Sequence, residues 1–453
     1  MNYNSVMEKI KQSKIKGTFY SADVNELKSL IDSFKKENNF PYKYKTRCTI
    51  IPHAGLIYSG NLAYKGIFQL DCSIKNLFIF APAHRVPFLG ISIPDYDFFE
   101  TTFGKIKINK DYNEALINEF NAKYNNEAFE FEHSIEIQLP IIQSIFDDVK
   151  ITPVLIGNEN PDIIQKIIEK YYSDKTNGFI ISSDLSHFLK NDDAIKVDNY
   201  TANLIETLET KNCSHELACG MTGILGLIKF ADKNNFSLIR IDMKNSSAAG
   251  GDKKSVVGYG AWMLYEGEKN EFIKKYYSNF LINLAKRAVR SKFERIEEPL
   301  SFANVFLEMG ASFVTIEKAG CLRGCIGSII AHRPLIEDII SNARNAAFND
   351  PRFYPVKKEE LDELSFAISL LSEPKKMTFK DEEDLLEQIV QNKDGIIIKD
   401  KNHQAVYLPS VWEQLPDKKE FLYSLKQKAG LKRDYFSPTF EAYRFYSEYI
   451  KNL

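Results

Sequence analysis

Three histidines stand just beyond apolar segments of a chain that uses histidine sparingly. His53 follows "RCTIIP", His84 follows "NLFIFAP" and His187 follows "GFIISS", although the 453 residues include only seven histidines. Neutral imidazole is the commonest metal ligand in proteins, and a histidine cluster with open positions can present a catalytic metal ion. The pattern therefore predicts a site for Fe(II), or for another divalent transition metal such as zinc or copper, without choosing between them.

Acidic residues and a fourth histidine accompany this set. Asp184, in "SSDLSH", could orient His187 or act as a base. In "EHSIEIQLP", His133 is expected to begin a helix with Glu136 one turn along, so that both face one cleft. The alternatives are that each histidine bonds a backbone group in its own place, and that His133 and Glu136 form a helix cap with a solvated carboxylate.

The elements that must position these residues alternate along the first part of the chain. Short apolar segments are separated by stretches of helical periodicity such as "PDIIQKIIEKYY". Strands that are apolar on both faces predict an α/β domain whose sheet is covered by helices on both sides. Ligands bind beyond the carboxyl ends of such strands, so the histidines are expected to share one rim. One insert, "GISIPDYDFFETTFGKIKIN", predicts a β-hairpin with Gly104 near its turn.

A second unit is expected after the polar stretch "YEGEKNEF". Its helices and strands are mixed rather than alternating, which favours a separate α+β domain. We expect it to end with a hairpin, "GIIIKDKNHQAVYLP", and a final helix-rich region. The predicted domains are residues 1–266 and 274–453.

Composition narrows the possible partners and location. The net charge of −2, with acids and bases interspersed, offers no basic stripe for nucleic acid. No apolar run approaches the ~18–20 residues that span a bilayer, and the start lacks a secretory h-region, so no membrane association is expected. Six cysteines in so long a chain are typical of reduced thiols, which favours a cytoplasmic protein.

Five motifs of the first domain together resemble one family. "PHAGLIYSG", "APAHRVPF", "EHSIEIQLP", "SSDLSHF" and "VVGYGAW" are similar, in order and spacing, to the Memo family, over about residues 15–265. That family shares the fold of class III extradiol dioxygenases, non-haem iron enzymes that cleave catechol-type rings. The resemblance implies that His53 and His84 are two metal ligands and that His187 is a pocket histidine, available as an acid/base group or an additional ligand.

The third ligand is where the sequence departs from the resemblance. Memo proteins of animals carry a cysteine in the segment matching "DMKNSSAAGGDKKSVVGYG", and this segment contains no Cys or Glu. Its oxygen ligands are Asp242, Asn245 and Asp252, of which Asp252 is favoured; the change weighs against ring cleavage but not against metal binding. Cys219, before a helix in "ACGMTGIL", is interpreted as a packing residue, although a helix N-terminus can lower the pKa of a thiol.

The second domain carries "FVTIEKAGCLRGCIGSI". Cys321 and Cys325 would lie ~13 Å apart along a strand, too far for one zinc ion. Arg323 shares a strand face with Cys325 and could favour its thiolate, which makes this pair a candidate site. The neighbouring glycines would let a ligand or another backbone come close. The alternative is a packed strand with an incidental thiol.

The motifs "LRGCIGS", "DPRFYPV", "AISLLSEP" and "QAVYLPSVWEQ" resemble the AMMECR domain family over about residues 275–453. This resemblance implies a compact α+β fold rather than a reaction. In many prokaryotes Memo-like and AMMECR-like proteins occur with a radical-SAM protein, in a set called AmmeMemoRadiSam. The chain has no CxxxCxxC motif of its own, so a radical-SAM protein is expected only as a partner.

Two functions follow from these observations. The first is a metal-dependent enzyme of the non-haem Fe(II) type, or a maturation component of that pathway, acting on a small molecule or peptide presented by the AMMECR-like domain. The second is a non-catalytic adaptor whose degenerate dioxygenase pocket binds a peptide or ligand.

Overall fold

The computed structural model describes residues 8–38, 42–295 and 303–451. The chain divides into two compact units, Met1–Lys269 and Asn270–Leu453. Each is described by itself. In the described ranges, no helix is both long and apolar enough to cross a membrane.

The first unit contains twelve described strands and eight described helices. The strands are β1 Ile10–Lys11, β2 Cys48–Ile51, β3 Asn76–Pro82, β4 Ile91–Ile93, β5 Phe98–Thr101, β6 Gly104–Lys107, β7 Lys123–Tyr124, β8 Lys150–Ile156, β9 Asn177–Ser182, β10 His187–Leu189, β11 Ser237–Asn245 and β12 Val256–Tyr265. The helices are α1 Val24–Glu37, α2 Leu56–Phe68, α3 Lys110–Phe120, α4 Asn126–Glu130, α5 Leu139–Ile145, α6 Pro161–Tyr172, α7 Asn191–Glu206 and α8 Met221–Lys233.

Nine of these strands form one mixed sheet in the order β10-β12-β2-β9-β3-β8-β4-β7, with β11 paired to β12. The four strands β2, β9, β3 and β8 run parallel to one another. Their carboxyl ends therefore meet at one edge of the sheet, which is where the predicted site was placed. A separate sheet of β1, β5 and β6 contains the predicted hairpin, whose Gly104 has a φ of 101° at the turn.

Side chains of the central strands alternate between two cores, one on each face of the sheet. Leu77 and Ile79 of β3 pack with residues of α1, α2 and α5. Phe78 and Phe80 of the same strand pack with residues of α3, α6 and α8. Burial on both faces explains the continuous apolar runs of these strands, and the α/β prediction is confirmed.

The second unit is built from antiparallel strands and four described helices. The helices are α9 Lys269–Arg290, which begins at the unit boundary, α10 Leu335–Phe348, α11 Glu382–Gln388 and α12 Lys418–Lys428. The strands are β13 Ala311–Lys318, β14 Cys321–Gly327, β15 Leu364–Leu371, β16 Lys375–Lys376, β17 Gly395–Asp400, β18 His403–Tyr407, β19 Glu441–Phe445 and β20 Ser447–Lys451. They form two sheets, β14-β13-β15-β20 and β16-β19-β17-β18, and the α+β prediction is confirmed.

The prediction of a helix-rich end is wrong. Only α12 and a short 3-10 helix, Pro409–Glu413, follow β18, and the described chain then ends in β19 and β20. These two strands join different sheets: β20 pairs with β15 and β19 pairs with β17. β20 is thus an edge strand of one sheet, whereas β19 lies between β16 and β17 in the other.

Glycines of β14 are explained by packing against the protein's own atoms. A Cβ at Gly324 would lie 2.0 Å from the carbonyl oxygen of Ala346 in α10, and one at Gly327 would lie 2.2 Å from the ring of Phe313. Of the two expectations for these glycines, close approach by another part of the chain is the one that the structure bears out.

Candidate metal centre

Three histidines meet at the carboxyl edge of the parallel strands. His53 follows β2 by two residues and His84 follows β3 by two residues, whereas His133 lies in the loop after α4. The ring centroids are 5.1 Å apart for His53 and His84, 5.4 Å for His53 and His133, and 4.9 Å for His84 and His133. The site thus combines two predicted strand-end ligands with the histidine that was assigned to a helix start.

The donor set fits a transition metal. One nitrogen from each ring lies within 4.8 Å of the others, and in the described residues this is the group that could hold a metal ion. Two histidines bound to one tetrahedral ion at ~2.1 Å have their nitrogens ~3.4 Å apart, so binding requires the ring nitrogens to approach one another by up to ~1.4 Å. Imidazole suits zinc, copper, iron and nickel, so the donor chemistry does not select among these ions.

Hydrogen bonds fix the tautomer of His53. Its Nδ1 lies 3.0 Å from Ser182 Oγ, which donates its own hydrogen to the carbonyl oxygen of Ser134 at 2.7 Å. Since Ser182 Oγ can then only accept, Nδ1 of His53 carries the proton and Nε2 carries the lone pair. Burial and the neighbouring rings of His84 and His133 lower the pKa of His53, so the ring stays neutral. A neutral ring with a free Nε2 is what metal binding requires.

Glu132 orients the other two histidines and was missed by the sequence reasoning. Its buried carboxylate accepts from His84 Nδ1 at 2.9 Å and from the backbone N–H groups of His84, His133 and Ser134 at 2.6, 3.0 and 3.1 Å. Burial alone would raise the pKa of Glu132, but contacts with His133 and His84 outweigh it and lower the pKa. Glu132 is therefore ionised and accepts a hydrogen bond from Nδ1 of His84, which makes Nε2 the nitrogen of that ring available to a metal ion. Its only signal was its position next to His133 in "EHS".

His133 is held more loosely than the other two rings. Its Nδ1 lies 3.2 Å from Glu132 Oε1, but the alignment is too poor for a hydrogen bond, and this nitrogen has no such partner among the described residues. The ring packs on Phe19 with centroids 4.8 Å apart.

Asp184 contacts the backbone of His53 rather than the ring of His187. Its Oδ1 accepts from the backbone N–H of His53 at 2.8 Å. Burial raises the pKa of Asp184 to about 7, against hydrogen bonds from the backbone of His53 and Ala54 that lower it. This carboxyl can therefore hold or release a proton near neutral pH.

His187 lies on β10, outside the group of three histidines but close enough to affect their charge. Burial lowers the pKa of His187, and its proximity contributes to the lowered pKa of His53. The next residue, Phe188, has a φ of 59° and is 76% exposed. His187 is therefore a neighbour of the centre, and its role as an acid/base group or additional ligand stays a prediction.

Two predicted site residues lie elsewhere, which corrects their assignments. Glu136 does not face the cleft, because the helical segment begins only at Glu136–Gln138 and His133 precedes it, so the one-turn spacing between the two residues does not apply. Its buried carboxylate pairs with Lys11 Nζ at 2.8 Å and accepts from Tyr20 at 3.0 Å. Asp252 is exposed and accepts from the backbone N–H of Lys254 at 2.9 Å, as a turn residue does. His133, not Asp252, is the third member of the group.

Cys219 is also not a simple packing residue. Its Sγ lies 3.3 Å from His53 Nε2 and accepts from the backbone N–H of Asp184 at 3.2 Å. Burial and the nearby Asp184 raise the pKa of the Cys219 thiol to about 12. The thiol is therefore protonated, with His53 Nε2 at 3.3 Å and the carbonyl oxygen of Asp184 at 3.6 Å as its possible acceptors.

Comparison with known proteins identifies the family of each part of the chain. A family model described as Memo-like protein matches residues 11–263. The chain belongs to the Memo family. A second model, described as AMMECR1, matches residues 282–450.

Memo relatives match over most of their own length. A MEMO1 family protein of Sulfurisphaera tokodaii is 30% identical over 277 residues, which are 55% of this chain and 97% of the relative. Another, from Sulfolobus acidocaldarius, is 28% identical over 271 residues, 54% of this chain and 95% of the relative.

Among solved structures, the uncharacterized protein PH0010 from Pyrococcus horikoshii is 32% identical in sequence. The match covers 40% of this chain and 91% of that chain, with a TM-score of 0.36.

The AMMECR1 region does not bring its two candidate residues into one site. Arg323 pairs with Glu360 at 3.1 Å and lines an open groove of about 880 Å³ together with Phe293 and residues 354–360. Cys325 is not among the residues that line this groove. Its Sγ accepts from Thr315 Oγ1 at 3.3 Å, and its backbone N–H donates to Asp350 at 2.8 Å. Arg323 thus contacts a carboxylate rather than the thiol.

Proposed function

We propose that the Memo domain is a metal-dependent enzyme domain, which binds Fe(II), or zinc or copper, through His53, His84 and His133. The observation that carries the proposal is that three imidazole nitrogens lie within 4.8 Å of one another. His53 and His84 donate from Nδ1 to Ser182 and Glu132, which leaves Nε2 of each ring as the nitrogen available to an ion.

In the proposed reaction, the metal ion and the residues around it have different roles. A bound metal ion would act as a Lewis acid or redox centre for a substrate at its open positions. Asp184, with its pKa near 7, can hold a proton beside His53, and His187 can accept one from a group in the pocket. The side chain of His84 is 29% exposed, which leaves a path for substrate from solvent.

The proposed substrate is a small molecule or a peptide with an apolar or aromatic group. Exposed large apolar residues flank the histidines in sequence: Ile57 follows His53, Phe131 precedes His133, and Phe188 follows His187. Exposed apolar side chains near a polar site favour ligands that carry a matching apolar part. In the same proposal the AMMECR1 domain binds or presents the substrate, and a radical-SAM protein of an AmmeMemoRadiSam pathway is a partner.

The same exposed residues favour a second candidate function, a non-catalytic adaptor. In that case the pocket would bind a peptide or ring without a metal ion. The two candidates differ in one measurable property, which is the metal content of the loaded protein.

The test is metal analysis of the full chain after anaerobic incubation with Fe(II), Zn(II) or Cu(II) followed by desalting. The enzyme proposal expects close to one equivalent of one of these ions. A His53→Ala, His84→Ala double variant is expected to lose it while keeping its circular dichroism spectrum. A matched double variant, His215→Ala with His332→Ala, removes two exposed histidines elsewhere and is expected to keep it. Failure of the wild-type chain to retain any of the three ions overturns the enzyme proposal and leaves the adaptor.

A further inference from the structure

A buried tyrosine in the motif "VVGYGAW" has no role in the histidine group. Tyr259 lies on β12 and is only 2% exposed. Its hydroxyl has no hydrogen-bond partner among the described residues, although a buried tyrosine hydroxyl usually finds one. This hydroxyl is not sealed in the core, unlike that of Tyr171, which also lacks a partner in the described chain. Tyr259 therefore offers an unused polar group to the space beside it.

The strand register places Tyr259 between two histidines of the site. Val257, two residues earlier on β12, lies opposite His187 of β10. Farther along, β12 runs antiparallel to β2, and continuing their register brings Tyr259 level with His53. Residues two apart on a strand point to the same face of the sheet. Tyr259 thus shares the face of Val257 and lies between the levels of His187 and His53.

The glycines on either side of Tyr259 explain how the motif fixes this strand. A Cβ at Gly258 would lie 2.1 Å from a carboxyl oxygen of Asp198, and one at Gly260 would lie 2.3 Å from the ring of Trp262. These neighbours pack so closely on the other face of β12 that only glycine fits there. Tyr259 instead points to the core on the side of α2. The motif therefore holds the backbone closely on one face and presents the phenol on the other.

The surroundings of the hydroxyl favour an uncharged acceptor. A phenol keeps its proton at neutral pH, and burial together with the nearby charge of Asp184 raises the pKa of Tyr259 further. The hydroxyl is therefore a hydrogen-bond donor. The same negative charge disfavours an anionic ligand group beside it, whereas a neutral carbonyl oxygen can accept the hydrogen bond. Tyr58 of α2 also lies near Tyr259 and is 39% exposed, so this part of the site borders solvent.

We infer that Tyr259 is a substrate-binding residue that donates a hydrogen bond to a neutral carbonyl oxygen of a ligand held between His187 and His53. The inference rests on the proposed function and narrows its substrate class to amides, which include peptides. No bond is made or broken at Tyr259. Its role is to hold the carbonyl group of the substrate beside the metal ligand His53.

A matched pair of probes tests the inference on the full chain loaded with the ion that it retains. Phenylacetamide has a neutral carbonyl group, and phenylacetate has nearly the same shape with a negative charge. Isothermal titration calorimetry measures the affinity for each. Tyr259→Phe, which removes only the hydroxyl, is expected to weaken phenylacetamide binding about 3- to 10-fold, as the loss of one hydrogen bond predicts. It is expected to leave phenylacetate binding as in the wild type.

The control and the stability of the variant separate binding from folding. Tyr171→Phe also removes a buried hydroxyl without a partner in the described residues, and it is expected to leave both affinities unchanged. Because the hydroxyl of Tyr259 bonds no part of the described fold, Tyr259→Phe should keep the unfolding free energy of the wild type. A loss of stability, or failure to fold, would show that the hydroxyl serves the fold and would overturn the inference.

The remaining outcomes distinguish this inference from the proposed function. A wild-type chain that retains no ion defeats the proposed function and the inference with it. A metal-loaded wild type that does not bind phenylacetamide, or binds it no better than Tyr259→Phe does, overturns the inference alone. A comparable loss of phenylacetate affinity in Tyr259→Phe also overturns it, since the acceptor would then not be specifically a neutral carbonyl.

Discussion

Two buried glutamates four residues apart provide a matched pair for testing what orients the metal centre. Glu132 accepts hydrogen bonds from His84 and from three backbone N–H groups, whereas Glu136 pairs with Lys11. We expect Glu132→Gln to weaken metal binding and Glu136→Gln to leave it unchanged. Both substitutions keep the shape of the side chain and remove one negative charge, so they differ only in what the carboxylate contacts.

The magnitudes follow from the contacts. All four partners of Glu132 are donors, so the amide NH₂ of a glutamine must face at least one of them, which costs about 1–3 kcal/mol of folding free energy. Loss of an orienting partner typically lowers metal affinity 10–100-fold, or about 1.4–2.7 kcal/mol. Glu136→Gln instead leaves the Lys11 ammonium, which is 3% exposed, without its countercharge. Breaking a buried pair in this way costs about 3–5 kcal/mol of stability.

Competition titrations with Zn(II) and chemical denaturation of the metal-free chains measure the two quantities independently. We expect the two losses to fall on different variants. Glu132→Gln should have the larger loss of zinc affinity, and Glu136→Gln should have the larger loss of unfolding free energy. Equal losses of zinc affinity in both variants would refute the assignment of Glu132 as the orienting group, as would wild-type affinity in Glu132→Gln.

Two further predictions concern a strained residue and an ion pair. Phe188 adopts a left-handed φ of 59° while 76% exposed, so Phe188→Asn should raise the unfolding free energy by up to about 1 kcal/mol in thermal denaturation; a loss of stability would show that the ring has a packing role. Hydrogen bonds from Arg323 lower the pKa of Glu360 to about 2, so the stability from this pair is present above the unfolded pKa and is lost as the pH falls through the folded one. The stability difference between wild type and Arg323→Gln should therefore shrink between about pH 5 and pH 2, and a difference independent of pH would contradict it.

The part of the site that the sequence predicted depends on strand topology. Apolar runs that are buried on both faces indicate parallel strands, and parallel strands end at one edge, so the meeting of His53 and His84 followed from their places after β2 and β3. This reasoning from strand ends does not apply to a loop that follows a helix, even when that loop lies at the same edge of the sheet. His133 was recognised as a polar residue near a helix, but its place as the third member of the group needed the path of the chain between α4 and α5.

The incorrect or missing predictions share a physical cause. They depend on local backbone geometry that the periodicity of apolar residues does not reveal. A regular helix from residue 133 would place Glu136 beside His133, but the helical segment begins only at Glu136, and this side chain contacts Lys11 instead. Glu132 acts by accepting backbone N–H groups, which leaves no periodic signal. Asp252 was favoured by elimination within one segment, and that segment forms a turn. The last strands of the second unit are five residues each and only partly buried, so they lack the strict alternation that identifies a strand.

The unequal support of the three histidines has a consequence for how the site would accept an ion. Ser182 and Glu132 hold His53 and His84 in the binding tautomer before any metal arrives, so little ordering cost remains for these two rings. His133 has no aligned hydrogen-bond partner at Nδ1 among the described residues. The bound ion itself would therefore have to orient this ring, so binding is expected to begin on His53 and His84.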